Sequence, residues 1–186
     1  MNNFLRNWKN RRKLQRSGLK AAAPEDIDFV MEQIVEGAKE GHYEKSILDP
    51  EYQANYRAMF LGLMKGQGTA TVGERGIERK SGSLWIYGNN DEGNIGFFFV
   101  SEKYEGSGEN EMELLMAGIK KGLQKTGHGS NMIGSFLALC SGSATLYARC
   151  YPASEAMYKV LVKAGFVKIN TKPGGTRELE LKRTWN

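Results

Sequence analysis

Histidine and cysteine are both scarce, with two of each among 186 residues. His42 and His128 lie far apart, and Cys140 and Cys150 show neither the paired spacing of a zinc site nor a disulfide framework. Little material is left for a His-rich metal centre or a Ser/His hydrolytic machine, so no metal is expected. Two cysteines outside any framework suit a reducing compartment, and the expected location is the cytoplasm. Long apolar runs are missing too: none approaches the ~20 residues that cross a bilayer. The basic N-terminus lacks the apolar stretch of a secretory signal. Repeats and low-complexity tracts are absent.

Acidic residues are missing from the first twenty positions, where Arg6, Lys9, Arg11, Arg12, Lys13, Arg16 and Lys20 place seven positive charges. The net charge of +5 therefore belongs to this segment, and the rest of the chain is slightly acidic. Phe4, Leu5, Trp8 and Leu14 interleave with the charges, as in a basic amphipathic helix. Residues 1–16 read as an arm suited to RNA, a ribosomal or membrane surface, or an acidic protein, or else folded back on the body through Trp8. Residues 17–186 read as a single domain, with 40% hydrophobic and 25% charged residues overall.

What is present is an ordered alternation of elements. Ser17 to Ala23 reads as a short strand. Pro24-Glu25-Asp26 opens a helix whose apolar face is Ile27, Val30, Met31, Ile34 and Val35, and Gly41 ends it. A second helix follows Asp49-Pro50, with Tyr52, Tyr56, Met59, Phe60 and Leu63 on one side, read as core. Residues 66–82 read as a loop or weak strand. Leu84 to Tyr87 and Gly96 to Val100 make an antiparallel hairpin around a turn at Asn89–Gly93, and a loop at 105–108 follows. Later come a strand at 145–150, a helix from Pro152 to Lys163, a strand at 166–169, a turn at Pro173-Gly174-Gly175 and a last strand from Thr176 to Leu181.

Between these halves lies the stretch with chemical content. Glu113 to Lys120 reads as a buried strand, Gln124-Lys125-Thr126-Gly127-His128-Gly129 as a turn, and Ser130 to Cys140 as a helix. A glycine-bearing turn that opens a helix exposes unpaired amides at the positive end of the helix dipole, which suits a phosphate. The spacing is neither the dinucleotide Gly pattern nor a P-loop, and a glycine turn at such a place is also plain punctuation.

Two signatures in this order resemble the GNAT superfamily of acetyl-CoA-dependent N-acetyltransferases, over roughly residues 17 to 184. One is Glu113-Leu-Leu-Met-Ala-Gly-Ile119 with Gln124-Lys-Thr-Gly127-His-Gly129. The other runs from Tyr151-Pro-Ala-Ser154-Glu-Ala156 to Lys163-Ala-Gly165-Phe166. The resemblance implies an α/β (α+β) fold, a mixed and mostly antiparallel central sheet flanked by helices. It also implies acetyl transfer from acetyl-CoA, as co-substrate, to a primary amine of a protein, aminoacyl or small-molecule acceptor. It places the pyrophosphate on Lys125, Thr126, Gly127, His128, Gly129 and Ser130, after Gln124. The pantetheine arm falls along Ala117 and Ile119 as an added strand.

By the same resemblance Glu113 stands where relatives carry a base glutamate, with Glu111 on the same strand face. Leu161 stands where many relatives have an acidic tyrosine, so Tyr158, one turn earlier, is the substitute. Ser154 replaces an asparagine that bonds the cofactor. Arg149 and Cys150 end the neighbouring strand without an assigned role. The acceptor surface is expected near His42 to Asp49, the 66–82 segment and the last hairpin. Two other readings stay open: a non-catalytic acyl-CoA or protein-binding module of this fold, self-associating as a homodimer or not, and an unrelated nucleic-acid binder.

Overall fold

The computed structural model describes residues 18–73, 76–89, 91–103, 110–140 and 143–183. The expected arm at residues 1–16 and the loop at 105–108 lie outside them. Strand β1 is Leu19–Ala21, and a 3-10 turn at Pro24–Asp26 leads into α1, Ile27–Lys39. A second 3-10 turn, Lys45–Leu48, precedes α2, Pro50–Met64. Asp49 caps α2, accepting from the Glu51 N–H at 2.8 Å, and Pro50 fills the first turn where its missing donor costs nothing.

Residues 66–82 hold more strand than the loop or weak strand expected there. They form two antiparallel strands, β2 (Thr69–Gly73) and β3 (Gly76–Lys80), which pair only with each other.

The main sheet has seven strands among the described residues, in the order β1-β4-β5-β6-β7-β9-β8. Here β4 is Gly82–Asn89, β5 Gly93–Glu102 and β6 Glu111–Ile119. Helix α3, His128–Leu139, links β6 to β7, Ala144–Cys150. Helix α4, Glu155–Lys163, then leads to β8, Val167–Thr171, and β9, Arg177–Arg183. Helix α4 starts three residues later than Pro152, because Ser154 N–H closes a turn on Tyr151 O first. Every pairing is antiparallel except β6 with β7, so the expected mixed, mostly antiparallel sheet flanked by helices is what forms.

Side-chain alternation gives the sheet two apolar faces. Trp85, Tyr87, Phe98, Val100, Met112, Leu114, Leu146 and Ala148 pack with Met132, Ile133 and Phe136 of α3 and Leu161 of α4. Leu84, Ile86, Phe97, Phe99 and Met116 pack with Val30, Met31 and Ile34 of α1 and Phe60 of α2. Each such buried side chain contributes about 1.5–3 kcal/mol.

Met112 and Leu114 belong to the α3 face, whereas Met116 belongs to the α1 face. The switch occurs at a bulge, where Met116 pairs with Phe99 and Leu114 with Val100, so Leu115 is the extra residue. The parallel pairing to β7 also ends at Leu114, opposite Ala148. Beyond the bulge β6 stays with β5 and parts from β7.

Candidate active site

A cleft of about 860 Å³ opens where β6 and β7 separate. Lys120 N–H donates to Ile95 O on β5 at 2.7 Å. Strand alternation then turns the backbone of Ala117 and Ile119 the other way, toward the cleft. Both carbonyls on that edge are already engaged. Ala117 O accepts from the Tyr43 hydroxyl at 2.8 Å, and Ile119 O from Gln124 Nε2 at 3.3 Å. The N–H groups of the edge are what a ligand amide would meet.

The floor of the cleft is the turn into α3. Lys125 has φ +64° and Gly127, the helix N-cap, has φ +94°. Two left-handed residues so close bend successive amides toward one concavity. A Cβ at Gly127 would touch nothing within 4 Å, so the glycine is there for its backbone angle rather than for want of room. Thr126 Oγ1 ties the turn to Leu123 O at 2.6 Å. Helix hydrogen bonding starts with Asn131 N–H on Gly127 O, so the amides of 128 to 130 have no partner within the helix.

Ala117, Ile119, Gln124, Lys125, Gly127, Gly129, Ser130 and Ser154 all line this one cleft. Thr126 and His128 are on the turn, but their side chains are not part of its wall. The His128 ring lies 6.0 Å from that of Tyr87, and its Nε2 is 3.6 Å from Glu92. Ser154 Oγ sits 3.3 Å from His42 Nδ1, whose other ring nitrogen is 3.4 Å from Glu40.

The two residues named for catalysis are placed elsewhere. Glu113 is only 4% exposed and is not part of the cleft wall. Its Oε1 accepts from Arg149 Nε at 2.7 Å and its Oε2 from Lys103 Nζ at 3.2 Å. A carboxylate clamped by two cations is poorly disposed to receive a third proton donor. Tyr158 packs on the α3-face core, with the Arg177 guanidinium 4.0 Å above its ring. It too is outside the cleft wall, which at this height is Met157, Val160 and Leu161.

The opposite wall is Tyr43, Glu44 and Ile47, from the stretch expected to meet the acceptor, with Tyr56 and Met59, expected as core, and Arg149 and Tyr151, to which no individual role was given. Tyr151 donates its hydroxyl to Glu44 at 3.2 Å. Burial raises the Tyr151 pKa, and the Glu44 charge raises it further. Tyr56 is raised by burial and then by the same carboxylate. Glu44 is exposed and takes no cation partner among the described residues. Cys150 is buried, and desolvation pushes its thiol up to about 11.

Among the described residues no group of His, Cys, Asp and Glu could hold a metal ion, and no helix is long and apolar enough to cross a membrane. No protein-family model and no curated protein sequence matches the chain. Solved structures do. The chain is similar to a GNAT superfamily phosphinothricin acetyltransferase from Sinorhizobium meliloti in complex with AcCoA, at 13% identity and TM-score 0.63, covering 89% of this chain and 88% of that one. It is similar to a GCN5-related N-acetyltransferase from Kribbella flavida, at 14% identity and TM-score 0.64, covering 90% and 96%. It is similar also to AAC(6')-Ib in complex with ribostamycin and coenzyme A, at 16% identity and TM-score 0.61, covering 89% and 92%. The fold is that of the GNAT acetyltransferases.

Proposed function

We propose that the protein is an N-acetyltransferase that moves an acetyl group from acetyl-CoA directly to a primary amine. The observation that carries this is the bulge at Leu115, which parts β6 from β7 beside a turn of unpartnered amides. Solved proteins of this fold include acetyltransferases holding AcCoA or coenzyme A, which supports the same cleft as the coenzyme site.

The residues present fit the coenzyme. The amides from Lys125 to Ser130 and the α3 dipole suit a diphosphate, with Lys125 adding positive charge. The N–H groups of Ala117 and Ile119 suit an amide-bearing arm laid along the strand edge. Ser154 stands at the N-cap of α4 on the same wall. Bound acetyl-CoA supplies an acetyl thioester, open to attack by a neutral amine.

Glu44 is the proton acceptor we assign, in place of Glu113. It lines the cleft, has no cation to neutralise it among the described residues, and is bonded only by the Tyr151 hydroxyl. As the C–N bond forms and the C–S bond breaks, the amine proton passes to Glu44, directly or through water. A protein acid at the sulfur is not required, because a thiol of pKa ~8.5 is a fair leaving group. Cys150 holds its proton too tightly to act as a covalent carrier, in keeping with direct transfer.

Isothermal titration with acetyl-CoA, followed by free-thiol release over an amine panel, tests the reading. One-to-one binding with turnover supports it. Binding without turnover of any amine moves the assignment to an acyl-CoA-binding module, which the leucine at position 161 and the displaced Tyr158 would then explain. Contact of the basic segment at residues 1–16 with RNA or an acidic protein is a separate proposal. A chain starting at Ser17 that kept full affinity would end it.

A further inference from the structure

We infer that the acceptor is a small zwitterion, an amino-acid-type molecule whose carboxylate is read by Arg149 while its amine lies at Glu44; this rests on the acetyl-transfer reading above. Leu146, Ala148 and Cys150 are buried on the α3 face of β7, so alternation sends Arg149 to the α1 face. There it lines the cleft with its side chain 45% exposed. Glu113 grips the Nε–H at 2.7 Å, and Lys103 fixes Glu113 in turn at 3.2 Å. Holding a guanidinium by Nε sets the plane of the whole fork. The terminal nitrogens take no other partner among the described residues. A planar fork with free donors, facing a cleft, is built for a carboxylate.

Glu44 supplies the opposite charge. Tyr151, two residues after Arg149 in the chain, donates its hydroxyl to Glu44 at 3.2 Å, and all three residues line the one cleft. One small molecule therefore meets an anion and a cation in this wall. The remaining surface there, Ile47, Tyr56 and Met59, is apolar and suits an aliphatic or aromatic side chain. An acceptor with several positive charges and no acid would bring its charge against Arg149. Glu113 becomes a positioning residue. Its ion pair, buried on the Glu113 side and open on the Arg149 side, is a poor device for stability, since burying the carboxylate costs about as much as the pairing returns. It is a good device for aiming Arg149.

The test compares matched acceptors with the full chain at saturating acetyl-CoA: leucine and phenylalanine, their amides, and the corresponding decarboxylated amines. Free acids should exceed their amides in kcat/KM by about tenfold or more, a charge-assisted pair being at stake. Arg149→Gln should remove most of that preference through KM. Glu113→Gln should move KM for the acids in the same direction while leaving the shape of the pH–rate profile alone. Titration of leucine into the protein–CoA complex gives a readout besides turnover, and its heat should vanish in R149Q. Because R149Q leaves Glu113 short of a partner, the wild-type series decides by itself if that variant fails to fold. Equal rates for acids and amides, faster turnover of decarboxylated amines or polyamines, or no turnover of any amino acid would overturn the inference. Absence of acetyl-CoA binding would instead overturn the acetyl-transfer reading on which it rests.

Discussion

The hydroxyl of Tyr43 donates to the carbonyl of Ala117 across 2.8 Å, joining the loop after α1 to the free edge of β6. Tyr43 is half-buried, and desolvation raises its pKa well above the ordinary phenol range. Gly37 makes this possible, because a Cβ there would stand 2.6 Å from the Tyr43 ring. The bond holds the wall that carries Tyr43 against the strand on which the coenzyme arm is proposed to lie. Tyr43→Phe leaves a part-buried carbonyl short of its donor and should cost about 1–2 kcal/mol in urea unfolding. A melt indistinguishable from wild type would mean that the edge is held by packing alone.

Gly127 and Gly129 should respond differently to alanine. Gly127 has φ +94°, so Gly127→Ala should cost about 1–2 kcal/mol of stability as well as weaken acetyl-CoA binding. At Gly129 an added Cβ would meet Ile119 and Val160 at ordinary contact distance, 3.9 Å. Gly129→Ala should therefore melt like wild type and yet bind acetyl-CoA more weakly, because a methyl group would crowd the amides. Calorimetric titration beside thermal melts separates the two.

Glu44→Gln should lower kcat by about a hundredfold, the usual range for losing a general base, with the dissociation constant of acetyl-CoA nearly unchanged. The loss should be largest at low pH, where the amine is most protonated. Rates equal to wild type across the whole pH range would remove Glu44 from the chemistry.

Cys150 should resist iodoacetamide. The folded protein keeps this thiol protonated up to about pH 11. The unfolded chain loses the proton near ~8.5. A raised folded pKa contributes stability that is complete below the unfolded value and is lost as pH rises through the folded one, here between about 8.5 and 11. Alkylation at pH 8.5 should be slow in the native state and fast in denaturant, and Cys150→Ala should flatten the alkaline loss of stability.

Asp26 gives the opposite slope. It is 3% exposed and bonds Lys20 Nζ at 2.8 Å, the Ala23 N–H at 3.0 Å and Asn94 Nδ2 at 3.0 Å, tying β1, the first turn and β5 together. Burial raises its pKa, but these three donors outweigh burial and hold the carboxyl below its ordinary value. A depressed pKa contributes stability present above the unfolded value of ~3.9 and lost as pH falls through the folded one. Asp26→Ala should cost about 1–3 kcal/mol at pH 7 and remove that acid limb from a stability–pH curve.

Much of the frame was legible because its signals are local. Apolar spacing marked α1 and α2, Asp49-Pro50 marked a helix start, and Asn89 to Gly93 marked a hairpin turn. Each depends on hydrogen bonds or sterics within a few residues. The glycine turn into α3 was legible for the same reason, since Gly127 and the helix after it are neighbours in sequence. The region 69–80 read only as a loop or weak strand, because the pairing of one strand with the other leaves no mark on the sequence of either.

Charge partners are another matter. Nothing within ten residues of Arg149 foretells that it grips Glu113, 36 positions away, or that Tyr151 reaches Glu44 across 107. Sequence alone determined the turn, the helices and the alternation of strands, because those follow from backbone chemistry at short range. Tertiary structure alone decided which cations Glu113 meets, which carbonyl Tyr43 claims and which cleft carboxylate has no cation partner among the described residues. Those outcomes depend on a single bulge at Leu115 and on strands that meet only after the chain has folded.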